Sequence, residues 1–289
     1  MNIFVIGFGD IGQRVAQLEL GQGHHVTALA RRNKEFAGVT IIRGDLDLPA
    51  TMPRLPCPGT VVYYFAPPPV SGVFDQRMRS WLEGLVSHND FPDRIIYIST
   101  TGVYGDCKGA WVDEQTPPAP STDRAMRRLD AEKALRDFEH EYGVPVIVLR
   151  VPGIYGPGRW PIERLRQGGV ILRAEDAPFS NRIHADDLAR VCMAAARRGQ
   201  PGAVYNATDG QITTMTEYFH AVADAMGLPR LTEVDWQEAE KKISPGMLSY
   251  LKESRRIKNS KMLKELDIAL QYPNLSAGLA AAAEDQSLL

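Results

Sequence analysis

The chain has few cysteines, no apolar run of membrane length and no excess of one charge, and each of these absences narrows the reading. Cys57, Cys107 and Cys192 are odd in number and far apart. That is neither a disulfide framework nor a zinc-ligand spacing, so reduced thiols in a cytoplasmic protein are expected. No stretch approaches the roughly 18 apolar residues that a bilayer span requires. The opening MNIFVIGFGDIG lacks the basic segment and the long apolar segment of a secretory leader. Net charge is -2, so no global field favours nucleic acid or an anionic membrane as partner. The arginine pairs at 31–32, 127–128, 197–198 and 255–256 are dispersed and read as solvated faces, the first excepted. No G-x-S-x-G nucleophile elbow occurs, which argues against a hydrolase. His24-His25 has no partner at ligand spacing, so no metal site is expected. No repeat, low-complexity linker or long tail is found.

What is present describes an ordinary globular chain: 44% apolar and 24% charged over 289 residues. This length suits one large α/β domain or two unequal lobes sharing a core. Short β-branched runs alternate with amphipathic stretches in the first half, which predicts a parallel sheet with crossover helices. Strands are expected at 2–6, 25–29, 39–42, 61–65, 94–99 and 144–149, nearly continuous in apolar character as doubly buried strands are. Helices are expected at 10–22, 72–89 and 122–142. After residue 150 the pattern loosens. VPGIYGPGRWP reads as loop. A helix follows at 185–198, capped by Asp186 or a near neighbour, then a late strand in VYNATDG at 204–210 and a helix at 214–226. Charged helical segments are expected near 236–242, 245–254 and 259–266. The expected architecture is α/β, a Rossmann-type doubly wound parallel sheet with a small C-terminal substrate-binding lobe. Residues 1–150 are expected to form the sheet-bearing Rossmann part, and 151–289 mainly the lobe, interleaved with the core.

Gly7, Gly9 and Gly12 form G-x-G-x-x-G between the first strand and the first helix. The first glycine permits the tight turn, the second lets backbone approach a pyrophosphate, and the third lets helix and strand pack closely. The pyrophosphate would sit on the helix N-terminus, against the loop formed by Gly7, Phe8, Gly9, Asp10, Ile11 and Gly12. About 20 residues further on, an enzyme selective for NAD places a carboxylate on the ribose 2′-hydroxyl. Here the stretch reads Ala30-Arg31-Arg32-Asn33. Two guanidiniums suit a 2′-phosphate, so NADP fits better than NAD. Asp45 and Leu46, in GDL after the third strand, and Ala66 and Pro67, after the fourth, are further cofactor candidates.

S-T-T-G-V-Y-G at 99–105, L-R-V-P-G-I-Y-G-P-G-R at 149–159 and N-R-I-H-A-D-D-L-A at 181–189 follow the glycine fingerprint in that order. Together they resemble the short-chain dehydrogenase/reductase superfamily, extended branch, the NAD-dependent epimerase/dehydratase family. The chain looks most like its atypical YeeZ-type members. The similarity runs through Y-N-A-T-D at 205–209 and S-R-R-I-K-N-S-K at 254–261. It implies a small-molecule substrate resembling a nucleotide sugar between the lobes, and pairing of two copies through helices at 72–89 and 122–142. It also implies a Ser/Thr that holds the substrate hydroxyl, a Tyr acid/base, and a Lys that lowers the Tyr pKa. By register from V-Y-G the hydroxyl position falls on Thr100, with Ser99 and Thr101 beside it. Pro152-Gly153 would shape the loop near the nicotinamide.

The tyrosine motif is absent. With Glu132 taken as the glutamate that commonly follows it, Arg124 stands at the tyrosine site and Arg128 at the lysine site. A guanidinium stays protonated near neutral pH and is a poor base. Three readings stay open. Tyr104, Tyr155, Asp113 or His184 could supply the acid/base. Arg124 and Arg128 could bind an anionic substrate. Or the protein could bind cofactor without chemistry, as a sensor or interaction protein. Packing beneath the site is the favoured role for Tyr104, a cleft-structural role for His184, and helix capping for Asp186 and Asp187. Arg159, after G-P-G, is expected either to face the substrate cleft as a phosphate ligand or to stand on the surface.

Overall fold

A computed structural model describes residues 1–32 and 35–284; Asn33 lies outside the described residues. Seven strands form one parallel sheet: β1 (Asn2–Ile6), β2 (His25–Ala30), β3 (Val39–Arg43), β4 (Thr60–Tyr64), β5 (Arg94–Thr100), β6 (Val146–Val151) and β7 (Val204–Asn206). Their spatial order is β7-β6-β5-β4-β1-β2-β3, every pair parallel. The order reverses beside β1, which places a crevice at the carboxyl ends of β1 and β4.

Strand periodicity explains the two cores. Ile3 and Val5 point to one face, and Phe4 and Ile6 to the other. The first face is covered by α1 (Asp10–Gly21) and, from much later in the chain, Ala185–Arg198. The second is covered by α2 (Gln76–His88) and α3 (Asp123–Tyr142). Glu19 of α1 is fully buried and clamps the first face, accepting from Arg197 at 2.9 Å and from the Tyr63 hydroxyl. Burial pushes its carboxyl up, but these hydrogen bonds outweigh it and hold the group below the usual carboxylate range.

Some expected boundaries move for local reasons. The helix expected from residue 72 begins at Gln76, because Asp75 caps it by accepting from Met78 N at 3.1 Å while Gly72 takes φ +77°. α3 ends where Gly143 turns left-handed at φ +71°. The glycine- and proline-rich stretch after residue 150 is not all loop. Gly153–Tyr155 pairs in parallel with Arg182–His184, so a short extended segment satisfies its backbone there. The helix α4 (Ala185–Arg198) is capped by the His184 side chain, which accepts from Asp186 N at 3.2 Å, and not by Asp186. Asp187 is fully buried and accepts from Gln271 N and Tyr272 N. The smaller lobe adds α5 (Met215–Ala225), begun by a Thr214/Glu217 capping box, and α6 (Pro245–Leu251). A helix over Leu275–Glu284, absent from the sequence reading, packs against α5. Among the described residues no helix is long and apolar enough to cross a membrane, and no cluster of His, Cys, Asp or Glu could hold a metal ion.

Candidate functional site

The crevice at the ends of β1, β2 and β4 is a cavity of about 870 Å³. Its walls include Gly7, Phe8, Gly9, Asp10, Ile11 and Gly12. Gly7 takes φ +95°, and a Cβ there would lie 2.4 Å from Ala66 N, so the turn admits no side chain. A Cβ at Gly12 would stand 2.7 Å from Gly7 O. Gly9 is different: nothing lies within 4 Å of its missing Cβ. The space it leaves faces the first, otherwise uncapped N–H groups of α1, the arrangement a diphosphate needs.

Arg31 and Arg32 line the same cavity at the end of β2, together with Asp45, Leu46, Ala66 and Pro67. Both arginines are exposed, and neither has a hydrogen bond or ion pair among the described residues. Asp10, in the first turn of α1, would repel a phosphate if left alone. It is matched by Arg14 at 2.9 Å and Arg159 at 2.5 Å. Burial raises its pKa, but these two partners outweigh burial and keep it ionised below the usual range. Arg159 is thereby drawn to the mouth of this cavity, and the structure does not bring it into the second cleft, where a substrate contact was expected.

A second cavity of about 510 Å³ adjoins the first, and Arg128 lines both. Thr100, Thr101, Arg124 and Pro152 face it. Thr100 Oγ1 accepts from Gly102 N at 3.1 Å, which leaves its own proton free to donate. Arg128 donates to Ile98 O at 2.9 Å and to the Tyr97 hydroxyl at 3.2 Å. Arg124 donates to Ser249 at 2.9 Å and lies 3.6 Å from the centre of the Tyr250 ring, a cation–π clasp that ties α3 to α6.

Two expected site residues stand behind the cavity wall. Ser99 is buried and donates to Glu132, which forms a buried ion pair with Arg150 at 2.7 Å. Arg150 lies against the ring of Tyr104, 4.8 Å from its centre. Tyr104 is 2% exposed, and its hydroxyl donates to Asn206 at 2.8 Å. It lines neither cavity, as the packing role anticipated, and burial raises its pKa. The other acid/base candidates are likewise engaged elsewhere. Tyr155 is buried and donates to Asn274 O at 3.1 Å. His184 is held as a helix cap, its pKa lowered by burial. Asp113 accepts from Gln115 N in a turn. The sequence reading missed the opposite wall of the second cavity, formed by Arg182, Met247, Tyr250, Glu253 and Arg255. The motif N-R-I-H held one of these in plain view, but no spacing rule joins it to α6.

A reversal-point crevice with a glycine loop at a helix start defines a Rossmann-type α/β protein. Residues 85–208 match the model of the NAD dependent epimerase/dehydratase family. It is 27% identical over 186 residues to Protein YeeZ of Escherichia coli K12, covering 63% of this chain and 59% of that protein. It is 25% identical over 128 residues to human dTDP-D-glucose 4,6-dehydratase, covering 42% of this chain. That matched segment spans only 37% of the human protein's length. A conserved protein of unknown function from Silicibacter pomeroyi DSS superposes with a TM-score of 0.84 at 29% identity, covering 98% of each chain.

Proposed function

We propose that the chain is an oxidoreductase of epimerase/dehydratase type that prefers NADP and acts on a nucleotide-sugar-like substrate with an altered acid/base set. One observation carries this reading: the glycine-loop cavity, with Arg31 and Arg32 on its wall, opens past Arg128 into a second cavity that presents Thr100. Backbone N–H groups from Gly7 to Gly12 would hold the diphosphate, and the two guanidiniums a 2′-phosphate. The bound cofactor would supply and recover hydride. Thr100 would fix a substrate hydroxyl, while Arg124 and Arg128 serve as fixed positive charge, since neither can act as a base.

Tyr250 supports the catalytic form of this reading. Among the described residues it is the one tyrosine lining either cavity, and it lies against the guanidinium that occupies the usual tyrosine position. The pair thus sets a phenol beside a fixed cation in the second cavity, the two group types of a Tyr/Lys pair in exchanged positions. A non-catalytic NADP-binding protein is the second reading, favoured by the absence of Tyr-x-x-x-K and by the burial of Tyr104 and Tyr155. Calorimetric titration with NADP and NAD tests the cofactor assignment, which fails if NAD binds as tightly or more tightly. Incubation with dTDP-glucose or UDP-glucose and cofactor, followed by NMR of the sugar, separates the two readings. In the catalytic case Tyr250→Phe lowers turnover roughly a hundredfold, as loss of a general acid/base does, with little change in cofactor affinity.

A further inference from the structure

The second cavity sets four arginines, Arg124, Arg128, Arg182 and Arg255, against one carboxylate, Glu253. Three have evident engagements. Arg124 is clasped by Ser249 and Tyr250, and Arg128 by Ile98 O and the Tyr97 hydroxyl. Arg255 donates to Gly105 O at 2.7 Å and to Glu253 at 2.8 Å, while Glu253 also accepts from Ser121 at 2.6 Å.

Arg182 stands apart. It is 9% exposed, and no carboxylate lies within ion-pair distance among the described residues. The Tyr218 ring covers one face of its guanidinium at 3.5 Å. Nη2 meets only the Met215 thioether, a weak acceptor, at 3.4 Å, and buried Nε has no acceptor. Nη1 lies 3.0 Å from the point where a side chain on Gly153 would begin, and Gly153 lines the same cavity. Burial pulls its pKa below the ordinary arginine value, with Asp209 and two tyrosines opposing this only through space. Leaving a buried cation unpaired is costly, so folded proteins normally supply a counter-charge. Here the side facing the cavity is where none is built in.

We propose that Arg182 anchors an oxyanion of the substrate, a carboxylate or a phosphate, through its Nη1/Nη2 edge in the second cavity. This rests on the reading of that cavity as the substrate site. The planar fork matches both oxyanions, and a side chain at Gly153 would obstruct it.

The test uses the full chain and calorimetric titration with inorganic phosphate, UDP and glucuronate, with the glycine-loop cavity saturated by NADP. Wild-type protein is expected to bind at least one probe. Affinity for glucuronate alone assigns a carboxylate, and affinity for phosphate or UDP assigns a phosphate. Arg182→Gln is expected to weaken that probe at least tenfold while NADP affinity stays unchanged. Gly153→Val keeps the charge but obstructs its edge, and is expected to weaken the probe similarly, which keeps the test open should Arg182→Gln not fold. Equal probe affinity in wild type and both variants, or no binding of any probe to wild type, overturns the proposal. Should NADP fail to bind wild type, the cofactor assignment falls separately. Crystals soaked in the probe then decide the anchor by whether an oxyanion lies within hydrogen-bond distance of Nη1.

Discussion

The two adjoining cavities are built in opposite ways. The first is built around a backbone loop, with most of its wall drawn from the ends of β1, β2, β3 and β4 in simple succession. The second is made largely of side chains, brought together from Thr100–Gly102, α3, Pro152–Gly153, Pro178–Arg182, Met215 and the stretch from Met247 to Arg255. A cradle of backbone N–H groups tolerates only glycine at certain points, so it imposes a spacing on the chain. A ring of guanidiniums imposes charge and shape but no spacing.

The largest expected effect comes from a buried ion pair behind the wall of the second cavity. Glu132 and Arg150 are almost fully buried, and Glu132 accepts from Ser99, the neighbour of Thr100. Glu132→Ala leaves Arg150 uncompensated and is expected to cost about 3–5 kcal/mol in urea denaturation. A loss below 1 kcal/mol would mean that the pair does not hold the wall. Gly7→Ala attacks the first cavity alone. A positive-φ alanine costs about 1–3 kcal/mol before the clash with Ala66 is counted, and dinucleotide affinity should drop with it. Unchanged affinity by calorimetry would remove the backbone cradle from the explanation. A smaller change comes from the double substitution of Arg31 and Arg32 by Ala. Charge-assisted hydrogen bonds contribute about 1.5–3 kcal/mol, so NADP should weaken roughly tenfold to a hundredfold while NAD is little affected. Equal losses for both cofactors would contradict a 2′-phosphate contact.

A last effect, seen only as pH is varied, concerns a buried acid behind the second cavity. Burial raises the Asp209 carboxyl from 3.8 to about 7, despite the hydrogen bond from Gln211 N. The folded protein therefore holds a proton that the unfolded chain has released. Asp209 costs stability progressively as pH rises from about 4 to about 7, and the cost then levels off. Asp209→Asn should flatten this, gaining stability relative to wild type at pH 8 and not at pH 4. Parallel melting curves across that range would contradict the assignment.

The same contrast explains what could be read from residues alone. β1, the glycine loop, α1 and β2 were legible because apolar period, turn chemistry and spacing agree over one short stretch. Arg124 and Arg128 were read as standing at the Tyr and Lys positions by taking Glu132 as the register mark of α3, and both line the second cavity. The wall contributed by α6 was not legible: Tyr250 meets Arg124 across more than a hundred residues of sequence, through a contact that no periodicity encodes. The choice left open for Arg159 could not be made from residues alone because its direction is set by Asp10, a partner visible only in space. The start of α2 was misjudged because the capping side chain of Asp75 follows a glycine-containing loop that reads as weakly helical.

β7 and α4 come from beyond residue 150, yet one completes the central sheet beside β6 and the other covers α1. A protease nick between Val151 and Pro152 would therefore not free a self-sufficient nucleotide-binding half. The amino-terminal fragment would expose β6 as a raw sheet edge and wet the apolar side of α1, an invitation to aggregate. Such halves should remain associated after clipping, and a gene fusion that borrows only the first 150 residues should give insoluble protein.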